Sequence, residues 1–241
     1  LAQDGAIVIV TDIDGAMEVD GKPTQRSALL QITVSEIVDA GGMALSLVLD
    51  VTNADDIQTV VEQTISEYGR LDIVVNNAGS LAGSPDQWRS SFDVNLLGPM
   101  MVSQAVIPQM RAIGGGRIIN IGSTGSLGAE PGFGAYTTMK HGLVGFSKTL
   151  AAEFGPDGIL CNTVCPGYIA TDMHTAANIR LAAERGITVE QMKKERYSNV
   201  AVRDAGLPED VANAVAYLAG PQANYVTGMN LPVTGGVPFG I

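Results

Sequence analysis

Tyr136 and Lys140 place a phenol and an ammonium four residues apart, in Tyr136-Thr137-Thr138-Met139-Lys140. On a helix that spacing is one turn, so both side chains project from one face. A phenol ionises near pH ~10 in water. A neighbouring cation favours the phenolate, which lets the tyrosine exchange a proton near neutral pH. Ser123 lies thirteen residues upstream in Gly122-Ser123-Thr124-Gly125, two positions past an apolar run ending at Ile121. A hydroxyl there can polarise a substrate oxygen. Further upstream, Asn76-Asn77-Ala78-Gly79 directly follows Ile73 to Val75. Residues this small let a flat ring or a ribose approach the main chain. Singly, each feature is commonplace: a loop serine, a Tyr/Lys pair on a helix, an Asn-Gly turn. In this order they form a set suited to moving a proton beside a carbonyl.

Positioning such a set requires a scaffold, and the apolar pattern supplies one. Strand-like runs cover Ile7 to Val10, Ala44 to Leu49, Ile73 to Val75, Arg117 to Ile121, Ile159 to Val164 and Met229 to Val233. Helical patterns fall between them: Ser27 to Asp39, Ala54 to Glu67, Pro99 to Arg111, Tyr136 to Phe154 and Pro208 to Leu218. Strands alternating with helices of this length predict βαβ units in an α/β fold, with a parallel sheet covered on both faces. In such a sheet ligands sit beyond the carboxyl ends of the strands, where Asn77 and Ser123 fall. No Pro/Ser-rich linker divides the 241 residues, so a single domain over 1–241 is expected. Asp14 to Arg26 is a polar insertion after the first strand. The stretch 172–204 is helical in pattern and suits a substrate lid.

Charge and composition narrow the function classes. With 14 Lys and Arg against 25 Asp and Glu, the formal charge is −11. A chain this acidic repels phosphate backbones and anionic lipid, so neither nucleic acid nor membrane is an expected partner. Apolar residues make up 46%, enough for a full core, yet no apolar run reaches the ~18 residues of a membrane span. Cys161 and Cys165 are the only cysteines; they fall on one face of a buried strand and read as core residues, without a metal site or disulfide framework. A cytoplasmic location is expected.

The residues Asn95, Ser123, Tyr136 and Lys140, with Asn76-Asn77-Ala78-Gly79 and Cys165-Pro166-Gly167-Tyr168-Ile169-Ala170-Thr171, resemble the short-chain dehydrogenase/reductase family. The resemblance runs along the whole chain. It implies a Rossmann-type doubly wound sheet that binds a nicotinamide dinucleotide and transfers hydride between a secondary alcohol and a ketone. By that resemblance Tyr136 is the general acid/base, Lys140 lowers its pKa and binds the nicotinamide ribose, and Ser123 orients the substrate oxygen. Asn95 would hold a water of the proton relay. Asn77, Ala78 and Gly79 would line the adenosine-side ribose. Pro166 and Gly167 turn the chain over the sheet edge, and Ile169 and Thr171 match the positions that hold the nicotinamide carboxamide. Asp50 and Val51 resemble the pair that contacts adenine. Asp12 ends the first strand, where an acid accepts hydrogen bonds from both adenosine ribose hydroxyls and repels a 2′-phosphate, which favours NAD over NADP. Lys22 and Arg26 in the insertion can fold back towards a phosphate, the opposite preference.

The sequence departs from the family at its start. The glycine-rich loop expected before Asp12 is absent; Thr11-Asp12-Ile13-Asp14-Gly15 lacks the spaced glycines that bring N–H groups to a pyrophosphate. Leu1-Ala2-Gln3-Asp4-Gly5 reads as the last turn of a helix, so about one βα unit is expected to precede it. Its strand would lie between those at Ile7 and Ile73. The alternative is a fragment without activity, for which no dinucleotide binding is expected.

Met173, Tyr168, Leu81, Leu127 and Phe133 are candidate apolar pocket walls, and Glu130 and His174 candidate polar contacts to substrate. Apolar residues on more than one face of two helices (Met100, Met101, Val106, Ile107, Leu143, Val144, Phe146, Leu150) suggest burial between subunits, and the resemblance implies a homotetramer. Two competing readings remain. A sugar epimerase or dehydratase can share Tyr-x-x-x-Lys but usually carries a larger substrate domain after the position of Thr171. A non-catalytic binding or regulatory relative would be expected to have lost part of the catalytic set.

Overall fold

Strands rich in β-branched residues alternate with helices along the chain of this computed structural model, which describes residues 1–19, 22–81, 85–129 and 131–237. Glu130 lies outside them, as does the side chain of Lys22. The chain opens with a 3₁₀ turn, Ala2–Asp4, closed by Gly5 at φ +91°. Among the described residues eight strands follow: β1 (Ile7–Asp12), β2 (Ala16–Val19), β3 (Lys22–Gln25), β4 (Met43–Val48), β5 (Ile73–Asn76), β6 (Gly116–Ile121), β7 (Ile159–Pro166) and β8 (Asn230–Val233). The helices are α1 (Arg26–Asp39), α2 (Ala54–Tyr68), α3 (Trp88–Phe92), α4 (Gly98–Ala112), α5 (Gly134–Phe154), α6 (Asp172–Arg185), α7 (Val189–Ser198) and α8 (Pro208–Ala219).

All the long strands run parallel, β1 with β4, and β5-β6-β7-β8 in sequence order. The apolar runs of β6 and β7 are continuous because both of their faces are covered. Ile118 packs with Val106, Met110 and Leu150 under α4 and α5, while its neighbour Ile119 packs with Val215 and Leu218 under α8. Successive side chains of a strand point to opposite faces, so adjacent isoleucines serve two cores. Helix ends follow local signals: Asn53 caps α2 by accepting from Asp55 N at 3.0 Å, and Gly69 ends it at φ +73°, releasing its N–H to Ile65 O.

Among the described residues β1 pairs with β4 and β5 with β6, and β1 and β5 do not pair with each other. Leu49 just past β4, Ile57 and Val102, packed with Val74 of β5, form an apolar cluster that ties the two groups together. The insertion after β1 is not simply a polar loop: β2 and β3 form an antiparallel hairpin, Ala16 opposite Gln25.

Of the apolar residues assigned to a subunit interface, Val106, Ile107, Leu143 and Leu150 are buried in the protomer's own core, which corrects that part of the argument. Both faces of α4 and α5 are apolar because these helices lie between the sheet and further elements. Met100, Met101, Val144 and Phe146 remain half-buried.

Candidate active site

The carboxyl ends of β5, β6 and β7 and the first turns of α5 converge, as the order of the motifs predicts. Past β6, Ser123 adopts extended backbone and caps a short 3₁₀ turn: its Oγ accepts from Gly125 N at 3.1 Å, and Ser126 Oγ accepts from Ser123 N at 3.0 Å. This reciprocal cap fixes the hydroxyl of Ser123 at the edge of the sheet. The Tyr136 ring packs over the same turn: a Cβ on Gly125 would meet Ser123 Oγ and Tyr136 Cε1, each at 3.5 Å. Lys140, one turn further along α5, is buried and donates from Nζ to Ile121 O at 2.7 Å. Its Nζ lies 5.7 Å from the centroid of the Tyr136 ring.

Burial governs the charges here. It pushes the Tyr136 phenol above its ordinary value, and the nearby Ser123 hydroxyl only partly offsets this. The same burial brings Lys140 down to about 8. In the protein by itself, burial is the main cause of the shift at Tyr136, and it acts to keep the phenol protonated. Cys165 sits fully buried behind this group, its thiol pushed up by burial, and Cys161 is raised to about 12 for the same reason. Both are inert core thiols, as their strand positions predict.

Asn95 is buried in a π-helical turn, Asp93–Leu97, between α3 and α4. Its side chain grips the loop after β5 from both sides: Oδ1 accepts from Ser80 N at 3.0 Å, and Nδ2 donates to Ser80 O at 2.8 Å and to Ser91 Oγ at 3.2 Å. Both amide protons are thus engaged, so the side chain fixes the loop after β5. Substitution Asn95→Ala should release that loop and weaken cofactor binding by up to about thirtyfold, since two main-chain hydrogen bonds of ~1 kcal/mol each are lost. A titration showing unchanged affinity would refute the clamp.

The other expected contacts divide. Asn77, Ala78 and Gly79 are exposed at the mouth of β5. Pro166 ends β7, and Gly167 donates its N–H to Val233 O at 2.9 Å, turning the chain over the edge as expected. Ile169 bridges Gly206. Thr171 is the N-cap of α6, accepting from His174 N at 3.3 Å. Asp50 accepts from Thr52 N and Oγ1 at 2.8 and 2.7 Å, and Val51 packs where a Cβ on Gly98 would meet it at 2.9 Å. Asp12 is held by Arg26 at 3.0 Å. Phe133 is buried beneath Arg180 rather than lining an open wall. His174 stacks between Tyr168 and Tyr197, with Nε2 3.0 Å from the Tyr197 hydroxyl. Burial and the charges of Arg196 and Lys193 bring its pKa down to about 4.

A buried polar ladder beneath the site escaped the sequence reading. Asn76 Nδ2 donates to Asn120 Oδ1 (2.7 Å) and to Ser103 Oγ (3.2 Å), and Asn120 Nδ2 donates to Ser147 Oγ (2.8 Å). Thr163 Oγ1 also donates to Ser147, which donates to Leu143 O. Ser147 lies two turns after Lys140 on the same buried face, so the ladder fixes how α5 is rotated over the sheet. Polar residues in apolar strands were its only sequence signal. Ser147→Ala leaves two buried donors unpaired and should cost ~2–3 kcal/mol in urea unfolding; a loss below ~0.5 kcal/mol would remove the ladder's importance.

The cradle around Gly79 tests the fit of a nicotinamide dinucleotide. A Cβ there would lie 3.4 Å from Asn95 Oδ1 and 3.8 Å from Lys140 Nζ. Space in front of the ammonium is open because residue 79 has no side chain, and an ammonium has three donors, of which one goes to Ile121. A hydroxylated ribose fits that chemistry. Around Asp12 the described chain runs through Gly15 into the β2–β3 hairpin and offers no glycine-rich turn into a helix, so the ends of a dinucleotide have candidate partners and its pyrophosphate has none among them.

Comparison with known proteins agrees with this arrangement. A family model described as enoyl-(acyl carrier protein) reductase matches residues 1–238. The short-chain reductase protein NovJ of Streptomyces niveus is 36% identical over 99% of this chain and 87% of its own. The 3-oxoacyl-[acyl-carrier-protein] reductase FabG of Haemophilus influenzae is 37% identical over 82% of this chain and 79% of its own. Among solved structures, an actinorhodin polyketide ketoreductase with NADPH superposes with a TM-score of 0.87 at 29% identity, covering 98% of each chain. A 7α-hydroxysteroid dehydrogenase complexed with NADH gives 0.84 at 28%, covering 98% of this chain and 86% of that one. With the serine, the tyrosine–lysine pair and the clamping asparagine assembled at the edge of a Rossmann-like sheet, this chain belongs to the short-chain dehydrogenase/reductase family of oxidoreductases.

Proposed function

We propose that the protein transfers hydride between NAD(H) and a secondary alcohol or its ketone. The observation that carries this reading is the Tyr136 ring, 5.7 Å from the buried Lys140 ammonium and packed over the turn that holds Ser123. The nicotinamide supplies the hydride. In carbonyl reduction Ser123 and Tyr136 donate hydrogen bonds to the substrate oxygen as negative charge grows on it, and Tyr136 delivers the proton. Lys140 holds the nicotinamide ribose and compensates the phenolate that remains. Oxidation reverses these steps, with Tyr136 as base.

Asn95 acts through the loop it clamps, and Asn77, Ala78 and Gly79 line the cofactor. Pro166, Gly167, Ile169 and Thr171 shape the nicotinamide end, while Asp50 and Val51 contact adenine and Asp12, at the adenosine ribose, favours NAD. Residues 172–204, folded as α6 and α7, serve as the lid of a single domain. Relatives named as ketoreductases and 3-oxoacyl reductases support carbonyl reduction as one direction. No described helix is long and apolar enough to cross a membrane, and we place the enzyme in the cytoplasm. Half-buried Met100, Met101, Val144 and Phe146 support a homotetramer joined through α4 and α5.

Incubating the protein with NAD and a panel of secondary alcohols, and with NADH and the matching ketones, should change the absorbance of the reduced nicotinamide. Silence with every pair, using the phosphorylated cofactor as well, would leave the non-catalytic reading.

A further inference from the structure

Each helix of the segment 172–204 sends an arginine onto an aromatic ring beside the site. On α6, the guanidinium carbon of Arg180 lies 5.2 Å from the ring centroid of Phe133, a buried side chain three residues before Tyr136. On α7, the guanidinium carbon of Arg196 lies 4.3 Å from the ring centroid of Tyr168, next to Gly167 in the turn after β7. Nη1 of Arg196 also donates to Oδ1 of Asn178 at 2.7 Å, a fully buried side chain of α6. The two helices are thereby tied into one body. Arg185 pairs with Glu195 at 2.6 Å, and the rings of His174 and Tyr197 stack with centroids 5.9 Å apart. His174 stacks on Tyr168 as well, at 5.4 Å.

The ion pairs Arg180–Glu184 and Arg185–Glu195 are exposed and internal to this segment, so they do not fasten it to the sheet. The two guanidinium–ring contacts do, because Phe133 and Tyr168 belong to the loops after β6 and β7. A planar, weakly hydrated guanidinium stacks well on an aromatic face. We propose that Arg180 and Arg196 are positioning residues that latch α6 and α7, as a unit, to the two loops that frame the substrate. They act on the reaction through the population of the closed lid. A substrate that binds only the closed form binds more weakly in proportion as that form is depleted. The inference rests on the proposed dehydrogenase activity and on residues 172–204 serving as its lid.

Hydrogen–deuterium exchange of the full chain, read by mass spectrometry, tests the latch without needing turnover. Arg180→Met and Arg196→Met should each speed exchange throughout both α6 and α7 by about tenfold, with α8 and β6 unchanged. Removing the ring instead, by Phe133→Leu, should match Arg180→Met. Arg180→Lys keeps a cation over Phe133 and should restore most of the protection. Faster exchange confined to the turn around the substituted residue, an equal change in β6, a Phe133→Leu protein as protected as the parent, or no rescue by lysine would overturn the latch. With a substrate that the protein turns over, the doubly substituted Arg180→Met, Arg196→Met protein should raise KM by about tenfold and keep kcat within about threefold. A fall in kcat at constant KM would overturn the latch as well. No turnover by the unsubstituted protein with any substrate and cofactor pair would instead overturn the dehydrogenase reading, and the exchange result would still decide the latch.

Discussion

Tyr136→Phe is expected to lower turnover by about 10³-fold or more, because it removes both the proton donor and a hydrogen bond to the developing oxyanion. The change deletes a single oxygen from a buried ring, so the packing of α5 survives and NADH should bind as before. The hydroxyl of Ser123 keeps its contact with Gly125 N, so the neighbouring turn stays in place. A companion pH profile follows from the direction of the phenol's shift. Burial holds Tyr136 protonated through neutral pH, so carbonyl reduction should run on a plateau there and fall in alkali. Alcohol oxidation, which needs the phenolate, should climb as pH rises. A Phe variant retaining more than about a tenth of the parent's kcat would end the assignment of Tyr136 as acid/base.

Lys140→Met should abolish most activity and yet leave the fold slightly more stable near neutral pH. The folded pKa is about 8 against 10.5 for a free lysine. At pH 7 the protein therefore carries a buried ammonium that burial opposes by ~3 kcal/mol. Methionine fills similar volume without charge, while Ile121 O loses its donor at a cost of ~1–2 kcal/mol. The balance is ~1–2 kcal/mol in favour of the variant, or roughly 2–8 °C in Tm for a domain of this size.

The pH dependence has a definite sign. Between about 8 and 10.5 the unfolded chain binds more protons at this site than the folded one, so the parent gains stability as pH rises through that window. The advantage of Lys140→Met should therefore shrink from pH 7 to pH 10. A melting temperature that falls at neutral pH, or a gap that widens in alkali, would contradict the desolvated ammonium. An activity loss below about tenfold would contradict its catalytic place.

Much of this site is legible from local pattern. Strand runs at Ile73, Arg117 and Ile159 each end one or two residues before the chemistry, because a parallel sheet gathers all its carboxyl ends on one edge. The helical spacing of Tyr136 and Lys140 fixes a common face without any knowledge of the tertiary contacts. The helix over 134–154 and the helical character of 172–204 follow from apolar periodicity. The hairpin at Ala16–Gln25 was illegible as such: its strands are short and polar, and their pairing depends on where α1 docks. The ladder Asn76–Asn120–Ser147–Thr163 was likewise hidden, since a hydrogen bond between residues 27 or 44 positions apart leaves no periodic trace.

Sequence alone determined which residues share a strand end or a helix face, and hence that a proton donor, a hydroxyl and an ammonium meet at one edge of an α/β sheet. These are consequences of backbone geometry, which repeats every two residues in a strand and every 3.6 in a helix. Tertiary structure decided the charge states and the partners. Burial pushes the Tyr136 phenol up, Asn95 gives its amide to the main chain of Ser80, and Asp12 is already engaged by Arg26. Desolvation and long-range pairing depend on which atoms surround a group in space, and no local spacing encodes that.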